Sequence, residues 1–121
     1  MKQEETLILI PKIEKYIEYV LNIILKIPRT EKFNIGNEYK RSIYEILRNA
    51  IYINKVENRL VYLNTIDAEL VLERIYLRLM LKNRWIDEKK FKVAIELIYE
   101  IGRIVGGLIK YYGKNNKKWI W

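Results

Sequence analysis

Three pairs of glutamates stand four residues apart: Glu14/Glu18, Glu69/Glu73 and Glu96/Glu100. On a helix that spacing places both carboxylates on one face. Facing pairs inside a helix bundle can hold two metal ions, but the known sites of that kind add a histidine three residues after a glutamate. This chain has no histidine and no cysteine. It lacks the commonest general base, the commonest metal ligands and the strongest nucleophile. Disulfides and zinc–thiolate sites are excluded. Only two aspartates, Asp67 and Asp87, are present. Glu, Lys and Tyr keep some capacity for catalysis. The reading is nevertheless of a protein with no catalytic residue, no metal and no cofactor. Its glutamate pairs are expected on solvated, salt-bridged faces.

The cations carry more information. The net charge is +8, a field that attracts polyanions, nucleic acid first and anionic membrane second. Lys92, Glu96, Glu100 and Arg103 are spaced to compensate one another. Arg41, Glu45, Arg48, Tyr52 and Lys55 form a basic stripe partly offset by Glu45. Arg74, Arg78 and Lys82 follow at successive four-residue steps, and no acid stands four residues either side of Arg78. Like charges at that spacing repel. An acid from another helix or an external anion such as phosphate must compensate them. Residues 113–121 form a tail in which Lys114, Lys117 and Lys118 accompany Trp119 and Trp121, after Lys110. Such a mixture suits phosphate contact with base stacking, a membrane interface, a partner's groove, or simply a solvated tail.

The elements that must position these residues are helical throughout. Half of the 121 residues are hydrophobic, enough for one domain, residues 1–121, with a real core. Four helices are expected, at about 9–27, 37–55, 65–83 and 88–112. In the first, Ile10, Ile13, Ile17, Val20, Ile24 and Ile27 form a heptad seam, with Pro11 in the first turn and Pro28 closing it. The second has Tyr39, Ile43, Ile46, Ala50 and Ile53, and the fourth has Phe91, Ala94, Ile98, Ile101, Val105, Leu108 and Tyr112. Asn64 or Thr65 is the expected N-cap of the third helix, with Asp67 and Glu69 in its first turn; Asp87 caps the fourth, and Gly113 ends it. Heptad spacing and short connections predict an all-α, antiparallel up-down four-helix bundle. Residues 1–6 are polar and no small-residue cleavage site follows, so no signal peptide is expected. Charges interrupt every apolar run, so no membrane span is expected and the protein is placed in the cytoplasm.

The third helix is apolar on two sides. Ala68, Leu72, Ile75 and Leu79 share one face, and Ile66, Leu70, Leu77 and Leu81 share the opposite one. One face suffices for the bundle, so the other is expected to meet a second subunit; Leu70, Leu77 and Leu81 are the candidate packing or interface residues. Gly102, Gly106 and Gly107 join them, because three glycines inside a helix need a reason such as close approach of another helix or loop.

Ile27-Pro28-Arg29, Lys32-Phe33, Ile35-Gly36, Leu77-Arg78-Leu79 and above all Ile101-Gly102-Arg103-Ile104-Val105-Gly106-Gly107 resemble the accessory variability determinant proteins of diversity-generating retroelements. Those proteins are related to four-helix proteins encoded in ribosomal-RNA intervening sequences. The resemblance covers about residues 9–110. It implies a four-helix bundle assembled as a homo-oligomeric, pentameric barrel with a basic surface. It also implies binding to RNA or DNA, partnership with the element's reverse transcriptase in mutagenic cDNA synthesis, and no catalysis of its own. Arg78 and Arg103 match motif positions of the family. The candidate nucleic-acid-binding residues are therefore Arg74, Arg78 and Lys82, then Arg41, Arg48 and Lys55, with Arg103 and Lys110. The competing readings are a scaffold that binds only protein, and an intervening-sequence type bundle with no reverse-transcriptase role.

Overall fold

The computed structural model describes residues 2–55 and 57–114, with side chains from residue 8 to residue 113 of these. Four long helices carry the fold: α1 (Lys2–Ile24), α3 (Ile35–Ile53), α4 (Arg59–Lys82) and α5 (Glu88–Lys114). A single turn, α2 (Arg29–Lys32), sits in the connection between α1 and α3. There is no strand among the described residues. Each long helix packs on two others, in the ring order α1, α3, α4, α5 and back to α1. Cross-helix contacts fix the directions. Tyr52 meets Tyr62 and Tyr39 meets Tyr76, so α3 and α4 run antiparallel. Arg59 lies over the Tyr112 ring at 5.2 Å, at the α4 start and the α5 end.

The heptad seams of α3 and α5 are inside as expected. Tyr39, Ile43, Ile46, Ala50 and Ile53 are buried, as are Ala94, Ile98, Ile101, Val105 and Leu108, with Phe91 and Tyr112 half-buried at the ends. On α1 four of the six expected seam residues, Ile13, Val20, Ile24 and Ile27, are buried. Leu9, Ile13, Tyr16, Val20, Ile23 and Ile27 are buried while Ile10 and Ile17 are half-buried, because Tyr16 points across the core. α1 also begins earlier than expected, so Pro11 lies inside the helix and not in its first turn. Its ring is exposed, where it does not disturb the seam. The α1 end tightens through Lys26 N–H to Ile23 O and Ile27 N–H to Ile24 O before Pro28 stops it.

α4 starts six residues before the expected position. Leu63, Ile66, Leu70, Glu73, Leu77 and Met80 are all buried on one face, a heptad row that runs back through the expected cap. Asn64 and Thr65 are therefore interior helix residues, and Thr65 Oγ1 donates to the Val61 carbonyl at 2.9 Å instead of capping. Asp67 and Glu69 are consequently not in the first turn. Arg59 secures the true start, its Nε donating to Ile53 O at 3.0 Å across the α3–α4 connection. At α5, Asp87 caps as expected, Oδ1 accepting the Lys90 N–H at 2.8 Å. Gly113 does not end this helix, which continues through Lys114. No described helix is long and apolar enough to cross a membrane.

Candidate nucleic-acid interface

The cations separate into neutralised and free groups. Arg41 on α3 donates to Glu38 (3.1 Å) and reaches across to Glu69 on α4 (3.3 Å). These two carboxylates hold its guanidinium more firmly charged than usual. Arg48 is held by Glu45 at 2.9 Å, one turn away. The first and second members of the α3 stripe are thus compensated locally, while Lys55, in the α3–α4 connection, is exposed and has no ion pair among the described residues.

Arg74, Arg78 and Lys82 differ. None has an ion-pair partner among the described residues; Arg74 is half-buried and the other two are exposed. Arg78 and Lys82 line a surface groove between α4 and α5 with Ile75, Leu79, Leu81 and Phe91. Arg103 and Lys110 on α5 are likewise exposed and unpaired among the described residues. The expected compensation along α5 does not hold, because Glu100 turns to Lys12 of α1 instead (3.1 Å). That contact lowers the Glu100 pKa. Arg103 is left beside Tyr99 on the rim of a mixed-charge groove between α1 and α5.

Of the two roles open to the packing candidates on α4, packing within the bundle is the one they take. Leu70 and Leu77 are core residues of their own bundle and Leu81 is half-buried against that core, so they are not the outward face. The outward face is the other one. Val61, Val71, Ile75 and Leu79 are each at least one third exposed. It lies beside the Arg74–Arg78–Lys82 stripe on the helix surface. Gly102 and Gly106 are not needed for packing inside the bundle. A methyl group added at either would meet nothing within 4 Å. Gly107 is half-buried. By helical phase Gly102 and Gly106 lie toward the same side of α5 as Phe91. They therefore extend the α4–α5 surface bordered by the free arginines. The tail lysines and Trp119 and Trp121 lie outside the described residues.

Sequence reading missed the most unusual group in the molecule. Glu73, expected on a solvated face, is fully buried. Its Oε1 accepts a hydrogen bond from the Tyr16 hydroxyl at 2.7 Å, which spans the diagonal from α1 to α4. Tyr39 on α3 supplies the next link, its hydroxyl 2.9 Å from that of Tyr16. Because Tyr16 donates to Glu73, Tyr39 donates to Tyr16. Oε2 of Glu73 has no partner among the described residues; the nearby Ser42 hydroxyl donates to Glu69 O. Burial pushes the Glu73 carboxyl up to about 8, against the opposing pull of the Tyr16 hydroxyl. Burial also pushes Tyr16 and Tyr39 well above the ordinary phenol value, so both remain donors. At neutral pH this is a neutral acid inside a hydroxyl chain, closed to solvent. The signal was in the sequence: Glu73 stands three after Leu70 and four before Leu77, a core register position. Among the described residues no group of three acids comes together to hold a metal.

No curated protein matches the chain. The bAvd-like family model matches residues 7–112, which take in the whole α4–α5 surface and the Tyr16–Glu73 chain. An all-helical bundle with that match over nearly its full length is a member of the bAvd-like family.

Proposed function

We propose that this chain is a non-catalytic accessory protein of a diversity-generating retroelement. It binds RNA or DNA through its α4–α5 surface and partners the element's reverse transcriptase in mutagenic cDNA synthesis. The observation that carries the reading is the split among its cations. Arg41 and Arg48 are neutralised by acids of the same chain, whereas Arg74, Arg78, Lys82, Arg103 and Lys110 are unpaired among the described residues. Unpaired cations provide phosphate contacts without base readout; Arg78 and Lys82 line the α4–α5 groove, while Arg103 borders the α1–α5 groove. Binding is therefore strongly salt-dependent and weakly sequence-specific. The apolar outer face of α4, with Val61, Val71, Ile75 and Leu79, supports assembly into a homo-oligomer, of which the family's pentameric barrel is the natural form.

The test compares salt slopes. Replacing Arg74 and Arg78 by alanine lowers the dependence of log K on log salt by about 1.4 for a single strand, at about 0.7 for each phosphate contact. Replacing Arg41 and Arg48 leaves the slope near its original value. Equal losses from the two pairs sink the assignment of the α4–α5 surface. A well-folded protein that retains no nucleic acid but captures the reverse transcriptase is instead a protein-only scaffold.

A further inference from the structure

One end of the bundle gathers the α1–α3 connection and the α4–α5 turn. Residues 25–34 carry three cations against one acid, and residues 82–90 carry four against two. Lys26, at the end of α1, and Lys90, in the first turn of α5, lie so close that the Lys26 pKa is lowered, chiefly by Lys90. Two ammonium groups that close on an exposed surface repel, and Asp87 offsets this only in part. Exposed side chains at this end include Phe33, 72% exposed, and Leu25, 69% exposed, and Trp85 is half-buried there. Arg84, Trp85 and Lys90 line a surface hollow of ≈ 580 Å³, together with the acids Asp87 and Glu88.

The turn itself holds the second observation. α4 closes with Trp85 N–H on Met80 O (2.9 Å) and Arg84 N–H on Leu81 O (3.0 Å). This is a Schellman closure, whose pivotal residue adopts left-handed backbone and is usually glycine. Here it is Arg84, at φ 61, the one non-glycine residue with positive φ among those described. An arginine at a position that favours glycine points to a role for its side chain. Arg84 is exposed and has no ion pair among the described residues. It stands two residues past Lys82, the last residue of α4.

We infer that this end of the bundle is a binding site for single-stranded nucleic acid, in which Arg84, Lys26 and Lys90 contact phosphates and Phe33 and Trp85 stack unpaired bases. The assignment rests on the nucleic-acid reading above and locates where a strand leaves the α4–α5 surface. A single strand alternates a phosphate with a flat base, and this end carries both cations and rings. A duplex keeps its bases stacked on each other and has none to offer Phe33.

The experiment uses the full chain and a fluorescent single-stranded RNA, with a matched duplex and poly-glutamate as comparisons. Arg84→Gly relieves the left-handed strain and raises the melting temperature by a few degrees, while single-strand affinity falls about fivefold at 0.1 M salt, the loss of one phosphate contact. Arg84→Lys retains the affinity. Lys26→Ala with Lys90→Ala lowers it further, and Phe33→Ala weakens the single strand but not the duplex. Wild type that binds RNA, with Arg84→Gly stabilised and binding as before, overturns the site and leaves the α4–α5 surface standing. Wild type that binds no nucleic acid overturns the functional reading as well. Poly-glutamate held more tightly than RNA, with the same variants losing it, overturns the site as a nucleic-acid site and makes it a dock for an acidic protein.

Discussion

Glu73→Gln removes the buried acid while keeping an oxygen to accept from Tyr16. In the folded chain the Glu73 carboxyl keeps its proton up to about 8, against an ordinary value of 4.5. Between those values the native state binds one more proton than the unfolded state. Stability therefore falls as pH rises through this window and levels off above it. The slope approaches about 1.4 kcal/mol per pH unit. Across the window this reaches on the order of 5 kcal/mol, comparable to the whole stability of a small domain. Below pH 4.5 the penalty is absent, because both states are protonated. Helical circular dichroism in a urea series at pH 5, 7 and 9 measures this directly. Wild type loses its midpoint steadily from pH 5 to pH 9. Glu73→Gln is much flatter, and the two proteins differ most at pH 9, where the variant is the more stable. Parallel pH profiles refute the reasoning, because they mean that Glu73 is ionised at the same pH in both states.

Four further changes follow from the same contacts. Tyr16→Phe leaves both Glu73 oxygens without a donor and breaks the link to Tyr39, so urea unfolding at pH 7 shows a loss of about 1–3 kcal/mol. Leu77→Ala, in the sealed core, costs about 2–5 kcal/mol in the same assay. Ile75→Lys with Leu79→Lys, on the exposed face, leaves the helical signal intact and lowers the mass measured by light scattering. Gly102→Ala and Gly106→Ala each stabilise the bundle by about 1 kcal/mol in thermal or urea unfolding, since the added methyl meets nothing within 4 Å. Loss of nucleic-acid affinity in those stabilised glycine variants identifies close approach of a ligand to the α5 backbone.

Much of this architecture was legible because α3 and α5 each present one apolar row against a polar one. There the seam read from spacing is the seam that is buried. α4 resisted the same reading. It is apolar on opposite sides, so periodicity gives its two faces without saying which is inside. The inside row includes Glu73, whose charge disguised a core position. Asn64 and Thr65 imitate a cap, but Leu63 continues the buried row past them and moves the helix start to Arg59. The free arginines of α4 could be suspected from the missing acids around Arg78. The diversion of Glu100 to Lys12 depends on a neighbouring helix, which spacing along one chain does not reveal. Arg84 gave no signal at all, since the expected mark of a left-handed helix end is a glycine.

The most direct test of the central claim is titration of the purified wild-type protein with fluorescent single-stranded RNA at two salt concentrations, its assembly state measured on the same sample. The account predicts an oligomer that binds RNA at micromolar concentration or tighter and loses affinity steeply as salt rises. A well-folded protein that ignores RNA at low salt, whatever its assembly, contradicts it.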